Sequence, residues 1–307
     1  MEKVPYLGKE ITRWQAGKST FLAFPELGAR LMHWDITLGD GTMRDVIYWP
    51  TLENLDTFAT TRGGNPVLFP FNGRCFENNE MFFWRAPDGV RRPMPLHGIA
   101  RQSKFDVLRC DERGFAAQLV PSDETRASYP FDYEFIVTYR FEELRLICEY
   151  TLRNLGKQPL PWCAGHHFYF TMPWNDGLKR GDYAIRIPAK KTLKQDFKTG
   201  QLIDGPSFKK EEPLDNPQLP DTWHTALTGN TAVFGPKNQP GEIAVKLGAD
   251  KVPPSDSLFV TWTLDDKAPF YCVEPWMGPA NAAGHGVGLQ WVQPAQTQSF
   301  IVEVAIK

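Results

Sequence analysis

The chain has 307 residues and a formal charge of −2 at pH 7. Such a near balance of charge gives no electrostatic basis for a nucleic acid or an anionic membrane as partner. No apolar run approaches the ~20 residues that a membrane-spanning helix needs, and the first residues lack the apolar core of a signal peptide. We therefore expect a cytoplasmic protein without nucleic-acid or membrane partners.

The five cysteines are consistent with a reducing compartment. They lie at positions 75, 110, 148, 163 and 272, show no C-x-x-C spacing, and fall in several cases inside apolar runs. An odd, scattered set of this kind is typical of reduced, buried cysteines and does not indicate a disulfide framework or a zinc site.

In chain order, the dominant pattern is an alternation of apolar and polar residues, which is the period of a β-strand with one solvated face. Residues 105–120 predict a hairpin that turns at residues 111–114. Residues 133–141 and 144–153 predict a second hairpin, with its turn at Glu142-Glu143. Further strands are predicted at residues 20–24, 31–38, 45–49, 183–187, 242–247, 258–264 and 299–306.

Two segments depart from this pattern. Residues 52–58 are the best candidate for a helix. Residues 190–221 are rich in Lys, Asp, Gly and Pro and predict a long loop, which we interpret as a possible wall of a cleft. Because many short strands recur at a spacing of about 8–12 residues, the sequence predicts an all-β antiparallel sandwich. No boundary interrupts it, so we expect a single domain over residues 1–307.

Aromatic residues and one carboxylate are consistent with a sugar-binding site. Ten Trp and 21 Phe predict a large aromatic core, with a few rings left to stack on a pyranose. Glu274 lies in the apolar run 271–279 and precedes Pro275. Because proline pushes the preceding residue into an extended conformation, we expect Glu274 at the end of a strand with a fixed direction.

Three further segments carry candidate functional residues. Residues 65–74 end in Gly73-Arg74, residues 95–101 contain His97 and Arg101, and residues 165–170 contain His166 and His167. Adjacent strand residues point to opposite faces, so only one of His166 and His167 can face a given cleft. A zinc site from His97, His167 and Glu274 is conceivable, but no H-x-x-x-H spacing supports it.

Together these segments resemble the aldose 1-epimerase (galactose mutarotase) family, in order and approximate spacing, from about residue 28 to the C-terminus. The resemblance implies a galactose mutarotase-like β-supersandwich of antiparallel strands. It also implies interconversion of the α and β anomers of an aldose, with a small-molecule sugar as partner and without cofactor or metal. We expect a monomer or a homodimer.

The resemblance also assigns roles to individual residues. It makes Glu274 the catalytic base and His167, rather than His166, the catalytic acid. Arg74 and His97 hold the sugar. The family also uses an aspartate from the loop region, for which Asp221 is the better match and Asp215 the rival. Arg101 and Trp276 complete the set of candidate substrate-binding residues.

The proposed chemistry suits these residue types. Opening a hemiacetal ring takes a proton from the anomeric hydroxyl and gives one to the ring oxygen, and a carboxylate and an imidazolium on opposite sides of the ring can do both. From unperturbed pKa values of about 4.3 and 6.5, we expect Glu274 to be ionised at neutral pH and a nearby carboxylate to keep His167 charged.

The nature of the substrate stays open between two classes. Arg62-Gly-Gly and the segment from His97 to Arg101 look like hexose-6-phosphate mutarotases, in which arginines grip a dianion. Residues 67–74 look more like the enzymes of free sugars, and we favour a free hexose such as glucose or galactose. A non-catalytic carbohydrate-binding protein on the same fold is the third interpretation, which the presence of both Glu274 and His167 disfavours.

The remaining histidines have simpler interpretations. His33, His224 and His285 are expected to be hydrogen-bonded structural residues. Residues 284–288 resemble a phosphate-binding loop superficially, but no strand–helix unit surrounds them, and a plain turn is expected there.

Overall fold

The computed structural model describes all 307 residues, and strands dominate it. In the first half of the chain they are β1 (Glu2–Tyr6), β2 (Lys9–Ala16), β3 (Ser19–Phe24), β4 (Arg30–Thr37), β5 (Met43–Ile47), β6 (Val67–Leu68), β7 (Phe76–Glu77), β8 (Glu80–Met81), β9 (Phe83–Arg85), β10 (Arg91–Pro93), β11 (Phe105–Asp111), β12 (Gly114–Leu119), β13 (Tyr133–Glu142) and β14 (Arg145–Asn154).

In the second half they are β15 (Leu160–Trp162), β16 (Ala164–His166), β17 (Tyr169–Thr171), β18 (Tyr183–Arg186), β19 (Ala189–Gln195), β20 (Leu202–Asp204), β21 (Glu212–Pro213), β22 (Thr222–Leu227), β23 (Thr231–Pro236), β24 (Ile243–Leu247), β25 (Ser257–Trp262), β26 (Phe270–Met277), β27 (Gln290–Val292) and β28 (Thr297–Ile306).

Helical structure is limited to short segments. They are the α-helices α1 (Asp123–Ser128) and α2 (Ala282–His285) and the 3-10 turns Phe58–Thr60, Ala100–Gln102 and Arg180–Asp182. None of these helices has the length and apolar character that crossing a membrane requires.

The predicted hairpins are confirmed. Strands β11 and β12 pair around residues 112–113, and β13 pairs with β14 from Tyr133↔Asn154 to Glu142↔Arg145. The other predicted strands correspond to β3, β4, β5, β18, β24, β25 and β28, with ends that differ by no more than two residues. Alternation identified them because each buries one face against the core.

Two predictions about local structure are wrong. Residues 52–58 form no α-helix, and only the 3-10 turn Phe58–Thr60 begins at their end. Residues 190–221 contain most of β19 together with β20 and β21, so the segment is not one continuous loop. Lysines on β19 obscure the strand period, and its pairing with β20 and β22 is what makes it a strand. Helix α1, capped by the Ser122 side chain, was not predicted.

Two antiparallel sheets form the body of the protein. The larger has 13 strands in the order β1-β2-β3-β4-β5-β17-β26-β25-β22-β19-β20, with β16 joining β26 to β6. The smaller has nine strands in the order β11-β12-β13-β14-β28-β24-β23-β18-β21. The ribbons β7-β8, β9-β10 and β15-β27 complete the fold, and the predicted antiparallel supersandwich is confirmed.

Aromatic side chains of the two sheets pack against one another in the space between the sheets. Phe21 of the larger sheet stacks on Phe141 of the smaller with ring centroids 4.4 Å apart, and Phe170 meets Phe234 at 4.8 Å. They belong to a contiguous core of 55 buried residues, whose burial is the main favourable contribution to folding. The core covers one face of the larger sheet, and its other face is available to build a site.

Candidate active site

A cleft of about 470 Å³ lies on the face of the larger sheet that points away from the core. Its volume falls within the range of roughly 300–1,000 Å³ that is usual for small-molecule sites. All seven residues predicted for catalysis or binding line it, namely Arg74, His97, Arg101, His167, Asp221, Glu274 and Trp276.

A larger, more open groove of about 600 Å³ lies at the ends of β22 and β25. Its only charged lining residues are Lys251 and Asp256, and it contains no histidine. We place the active site in the smaller cleft, because of the two only that cleft contains histidines together with carboxylates.

Glu274 reaches the cleft because of the strand period of β26. Val273 belongs to the core cluster between the sheets, so Glu274 on the opposite face points into the cleft. The expectation that Glu274 ends a strand is wrong, since β26 continues through Pro275 to Met277. The proline is tolerated because it lies beside an interruption of the neighbouring strand, between β16 and β17.

That interruption places His167 opposite Glu274. The pairs Gly165↔Trp276 and Tyr169↔Cys272 continue a single register across the gap, and this register sets His167 across from Glu274. His167 Nε2 lies 3.4 Å from Glu274 Oε1, with side-chain exposures of 8% and 1%. The two candidate catalytic groups are therefore in direct contact and shielded from water.

The two adjacent histidines point to opposite faces, as their positions on one strand predicted. His166 enters the core, where its ring stacks with those of Tyr150 and Phe168 at 4.3 and 5.2 Å. His167 faces the cleft and stacks on Tyr169 at 4.6 Å.

Burial determines the protonation of the pair. It raises the pKa of Glu274 well above the usual carboxyl value, and the nearby Asp221 charge adds to this effect. Burial also lowers the pKa of His167 to about 3, helped by the charges of Arg101 and Arg30. Burial therefore favours the form of the pair in which neither group is charged, a protonated Glu274 beside a neutral imidazole. This direction is opposite to the expectation of an ionised Glu274 and a charged His167, because both charges would be desolvated.

The geometry of the pair also differs from the expected one. A carboxylate and an imidazole on opposite sides of a sugar ring would be separated by the sugar, whereas these groups are neighbours. Neighbouring groups suit the reaction, because the anomeric hydroxyl and the ring oxygen are both bonded to the same carbon. An acid and a base that lie side by side can therefore serve both oxygens.

His97 approaches the pair from a strained turn. Its backbone is left-handed, with φ 62°, and Gly98 follows with φ 81°. The Gly73 backbone N–H donates to His97 Nδ1 at 3.2 Å, so the proton of the neutral ring is on Nε2. Burial lowers the pKa of His97 well below 6.5. His97 therefore offers the cleft an N–H donor that suits a sugar oxygen.

Four cationic side chains line the cleft, and none forms an ion pair with a carboxylate. They are Arg62, Arg74, Arg101 and Lys194. Arg74 lies over the Phe197 ring at 4.9 Å, and Lys194 donates to the Pro220 carbonyl at 2.9 Å. The cleft has two lining carboxylates, so its wall is cationic on balance.

Of the two aspartates considered, Asp221 lines the cleft and Asp215 lies against Gly181, outside it. Burial raises the pKa of Asp221, while the charges of Lys194 and Arg74 oppose this shift. Both cations come from elements that the sequence did not predict to meet Asp221, since Lys194 is on β19 and Arg74 follows β6.

Three tryptophans contribute to the cleft walls, namely Trp223, Trp262 and Trp276. Trp84 is instead buried, with its indole N–H donating to the Ser128 carbonyl, and Trp174 packs on Tyr183 and is absent from the cleft.

The other histidines have structural surroundings, in agreement with their interpretation. His33 lies between Asp35 and Asp45, at 3.6 and 3.4 Å. His224 contacts the Thr261 hydroxyl at 3.1 Å, and His285 contacts the Ala280 carbonyl at 2.9 Å. Residues 284–288 end α2 and continue as a turn.

The side chains best placed to hold a metal ion are His167, Cys272 and Glu274, whose potential ligand atoms lie within 4.8 Å of one another. This set differs from the one considered from the sequence, which contained His97 in place of Cys272. The ligand types would suit zinc, but the four cations around the cleft oppose the entry of another.

Sequence reasoning overlooked Tyr169, Cys272 and Lys194. Tyr169 lies two residues after His167, and Cys272 lies two residues before Glu274, so the strand period alone places each on the face of its partner. The alternation of the surrounding strands was therefore a usable signal for these two. Lys194 carried no such signal, because its strand was predicted as loop.

Comparison with known proteins identifies relatives. A family model described as "Aldose 1-epimerase" matches residues 10–221, a span that includes His167 and ends before Glu274. Protein LacX (chromosomal) of Lactococcus lactis subsp. lactis is 23% identical over 241 residues, which cover 73% of this chain and 77% of that protein.

Solved structures show the same fold. A galactose mutarotase-like protein from Clostridium acetobutylicum has a TM-score of 0.79 and 18% identity, with 100% of this chain and 98% of that chain covered. A galactose mutarotase-like protein from Lactobacillus casei has a TM-score of 0.76 and 21% identity, with 97% and 100% covered.

Proposed function

The chain belongs to the aldose 1-epimerase family, and from this premise we propose that it interconverts the α and β anomers of a free hexose such as glucose or galactose. Glu274 is the base and His167 the acid, while Arg74, His97, Arg101, Asp221 and Trp276 surround the sugar. The observation that carries the proposal is the direct contact between Glu274 and His167 at 3.4 Å in a buried cleft.

The reaction uses the single proton that the pair holds. Transfer of this proton from Glu274 to His167 leaves the net charge of the pair unchanged and produces a carboxylate beside an imidazolium. Glu274 then takes the proton of the anomeric hydroxyl, and His167 protonates the ring oxygen as the C1–O5 bond breaks.

Ring closure completes the exchange of anomers. The open aldehyde rotates about its C1–C2 bond and presents the other face of the carbonyl to the C5 hydroxyl. By microscopic reversibility, His167 removes the proton of that hydroxyl and Glu274 returns a proton to the carbonyl oxygen. Return of a proton from His167 to Glu274 then restores the starting protonation state, so the chemistry consumes nothing.

Polarimetry on freshly dissolved α-glucose and α-galactose tests the proposal. We expect the wild-type protein to accelerate the change in rotation, and the Glu274→Gln and His167→Asn variants each to lose ~10²–10⁴-fold in kcat. His33→Gln, outside the cleft, is the control and should retain activity. Near-wild-type mutarotation by either cleft variant would refute its assigned role, and sugar binding without any acceleration would favour a non-catalytic carbohydrate-binding protein.

One observation favours a second candidate, a hexose-6-phosphate mutarotase. Arg62, Arg74, Arg101 and Lys194 line the cleft without ion-paired carboxylates. Asp221 offsets part of their charge, and a neutral hexose leaves the remainder uncompensated. A phosphate dianion would accept charge-assisted hydrogen bonds from two or more of them. Comparing kcat/KM for glucose and glucose 6-phosphate separates the candidates, because the free-hexose assignment requires that the phosphate is not strongly preferred.

A further inference from the structure

The backbone around His167 has an unusual hydrogen-bond partner. Strands β16 and β17 flank His167 and Phe168, which belong to neither. On the edge away from β26, β6 pairs with Gly165 and His166 through Leu68 and Val67, and the ladder ends there. The His167 backbone N–H has no backbone carbonyl as acceptor, so it needs another partner.

The Asn65 side chain takes the place of the missing strand. The His167 backbone N–H donates to Asn65 Oδ1 at 2.9 Å. The amide nitrogen of Asn65 donates to the Tyr139 hydroxyl at 2.6 Å and lies 2.8 Å from His166 Nδ1. Because a backbone N–H can only donate, the oxygen of the amide must face His167. Asn65 is fully buried, so each of these contacts is shielded from water.

The His167 ring has little else to orient it. Its Nδ1 has no hydrogen-bond partner, and its Nε2 faces Glu274. Most histidines that act as acids or bases have the second nitrogen held by a neighbouring group. Here the ring is positioned by its packing against Tyr169, His97 and Trp262 and by the placement of the His167 backbone, which Asn65 holds.

We propose that Asn65 is a positioning residue for the acid–base pair: its side-chain carbonyl holds the break in the strand in the conformation that brings the His167 imidazole to Glu274. This inference rests on the proposed function, since it requires His167 to act in catalysis. Asn65 does not line the cleft and does not touch the sugar. Its loss should therefore affect kcat, because a displacement of a reacting group by about 1 Å can cost ~10²-fold.

The test compares variants at both ends of the Asn65 amide. Asn65→Ala removes the acceptor for the His167 N–H, and we expect kcat for mutarotation to fall ~10–100-fold with KM changed less than about twofold. Tyr139→Phe removes the hydrogen bond at the far end and is the matched control. It should lower the melting temperature while kcat stays within about twofold of wild type. Equal losses of kcat in the two variants would show that Asn65 has only a general structural role, and would overturn the proposal.

A conservative variant covers the case in which Asn65→Ala does not fold. Asn65→Asp retains the shape and the acceptor oxygen, but it buries a carboxyl group and should destabilise the protein. The proposal expects Asn65→Asp to retain kcat within several-fold of wild type in spite of its lower stability. A loss of kcat as large as that of His167→Asn would contradict it.

The His167→Asn variant distinguishes failure of this inference from failure of the proposed function. If His167→Asn remains active, the role of His167 in the proposed function is wrong. If it is inactive while folded Asn65→Ala has wild-type kcat, only the positioning role is wrong. The double variant should be no less active than His167→Asn alone, because Asn65 acts through His167.

Discussion

His167 Nε2 lies 3.4 Å from Glu274 Oε1, and one strand register sets the two residues opposite each other although the strand that carries His167 is broken there. Both side chains are buried beneath the cleft. Burial disfavours the charged form of each group, and with the contact it favours a carboxyl and an imidazole that act as one unit.

A unit of this kind should respond non-additively to mutation. Combining Glu274→Gln with His167→Asn is expected to reduce kcat no further than the more damaging single substitution, since either one removes the proton exchange. Initial rates of mutarotation from polarimetry measure the effect. Losses that multiply in the double variant would show that the two residues act independently.

Stability should fall steeply with pH below about 6.5. Burial lowers the pKa of His166, His167 and His224 to about 3, against about 6.5 in an unfolded chain. Between these values the unfolded state binds more protons, so the free energy of unfolding decreases as pH falls, by up to ~1.4 kcal/mol per pH unit for each histidine. Glu274 has the opposite sign, because its raised pKa keeps a proton in the folded state above the unfolded value.

Urea unfolding at pH 7 and pH 5 measures this dependence. His224→Gln, outside the cleft, should make it shallower, because the variant has one fewer histidine to protonate. A free energy of unfolding that does not change between the two pH values would contradict the prediction.

The cationic wall of the cleft provides a test of the second candidate, a hexose 6-phosphate. If a phosphate binds there, Arg62→Ala should raise KM for glucose 6-phosphate about tenfold or more, because a hydrogen bond to a charged group contributes ~1.5–3 kcal/mol. KM for glucose should change little. Steady-state assays on both sugars test this, with substitution of the exposed Arg13 of β2 (Arg13→Ala) as control. An equal increase for both sugars would argue against a phosphate contact at Arg62.

Two glycines with similar backbone angles provide a matched pair for the turn that holds His97. A Cβ on Gly98, with φ +81°, would lie 2.0 Å from the Phe69 carbonyl oxygen, whereas a Cβ on Gly89, with φ +79°, would meet nothing within 4 Å. Gly89→Ala should therefore cost only the left-handed strain of ~1–2 kcal/mol, and Gly98→Ala about 1–3 kcal/mol more. Thermal unfolding compares the variants, and equal losses would mean that the Phe69 backbone moves freely.

Several features of the site could be predicted from short segments of the sequence. The opposite directions of His166 and His167 follow from adjacency on a strand, and the same rule would have placed Tyr169 with His167 and Cys272 with Glu274. The hairpin of β13 and β14 follows from alternation on both sides of a short turn. These features depend only on residues close in sequence, where the strand period applies.

Other features depended on partners far away in the chain. Asp221 and Asp215 are chemically equivalent in the sequence, and only folding brings Asp221 to Lys194 and Arg74 in the cleft while Asp215 lies against Gly181. The lysine-rich composition of β19 led to its prediction as a loop, but pairing with β20 and β22 makes it a strand. Asn65 carried no signal of its contact with the His167 backbone.

The sequence by itself determined the strand-rich architecture, the direction of each side chain along a strand and the family motifs, because these are encoded in residues within a few positions of one another. The tertiary structure alone decided the direction in which burial shifts the pKa values of Glu274 and His167, their direct contact and the collection of four cations around them. Burial and the proximity of charges cause these effects, and both depend on residues that are distant in sequence and are brought together by folding. Glu274 and His167 would have ordinary pKa values in water, and their pKa values change because the fold removes water from around them.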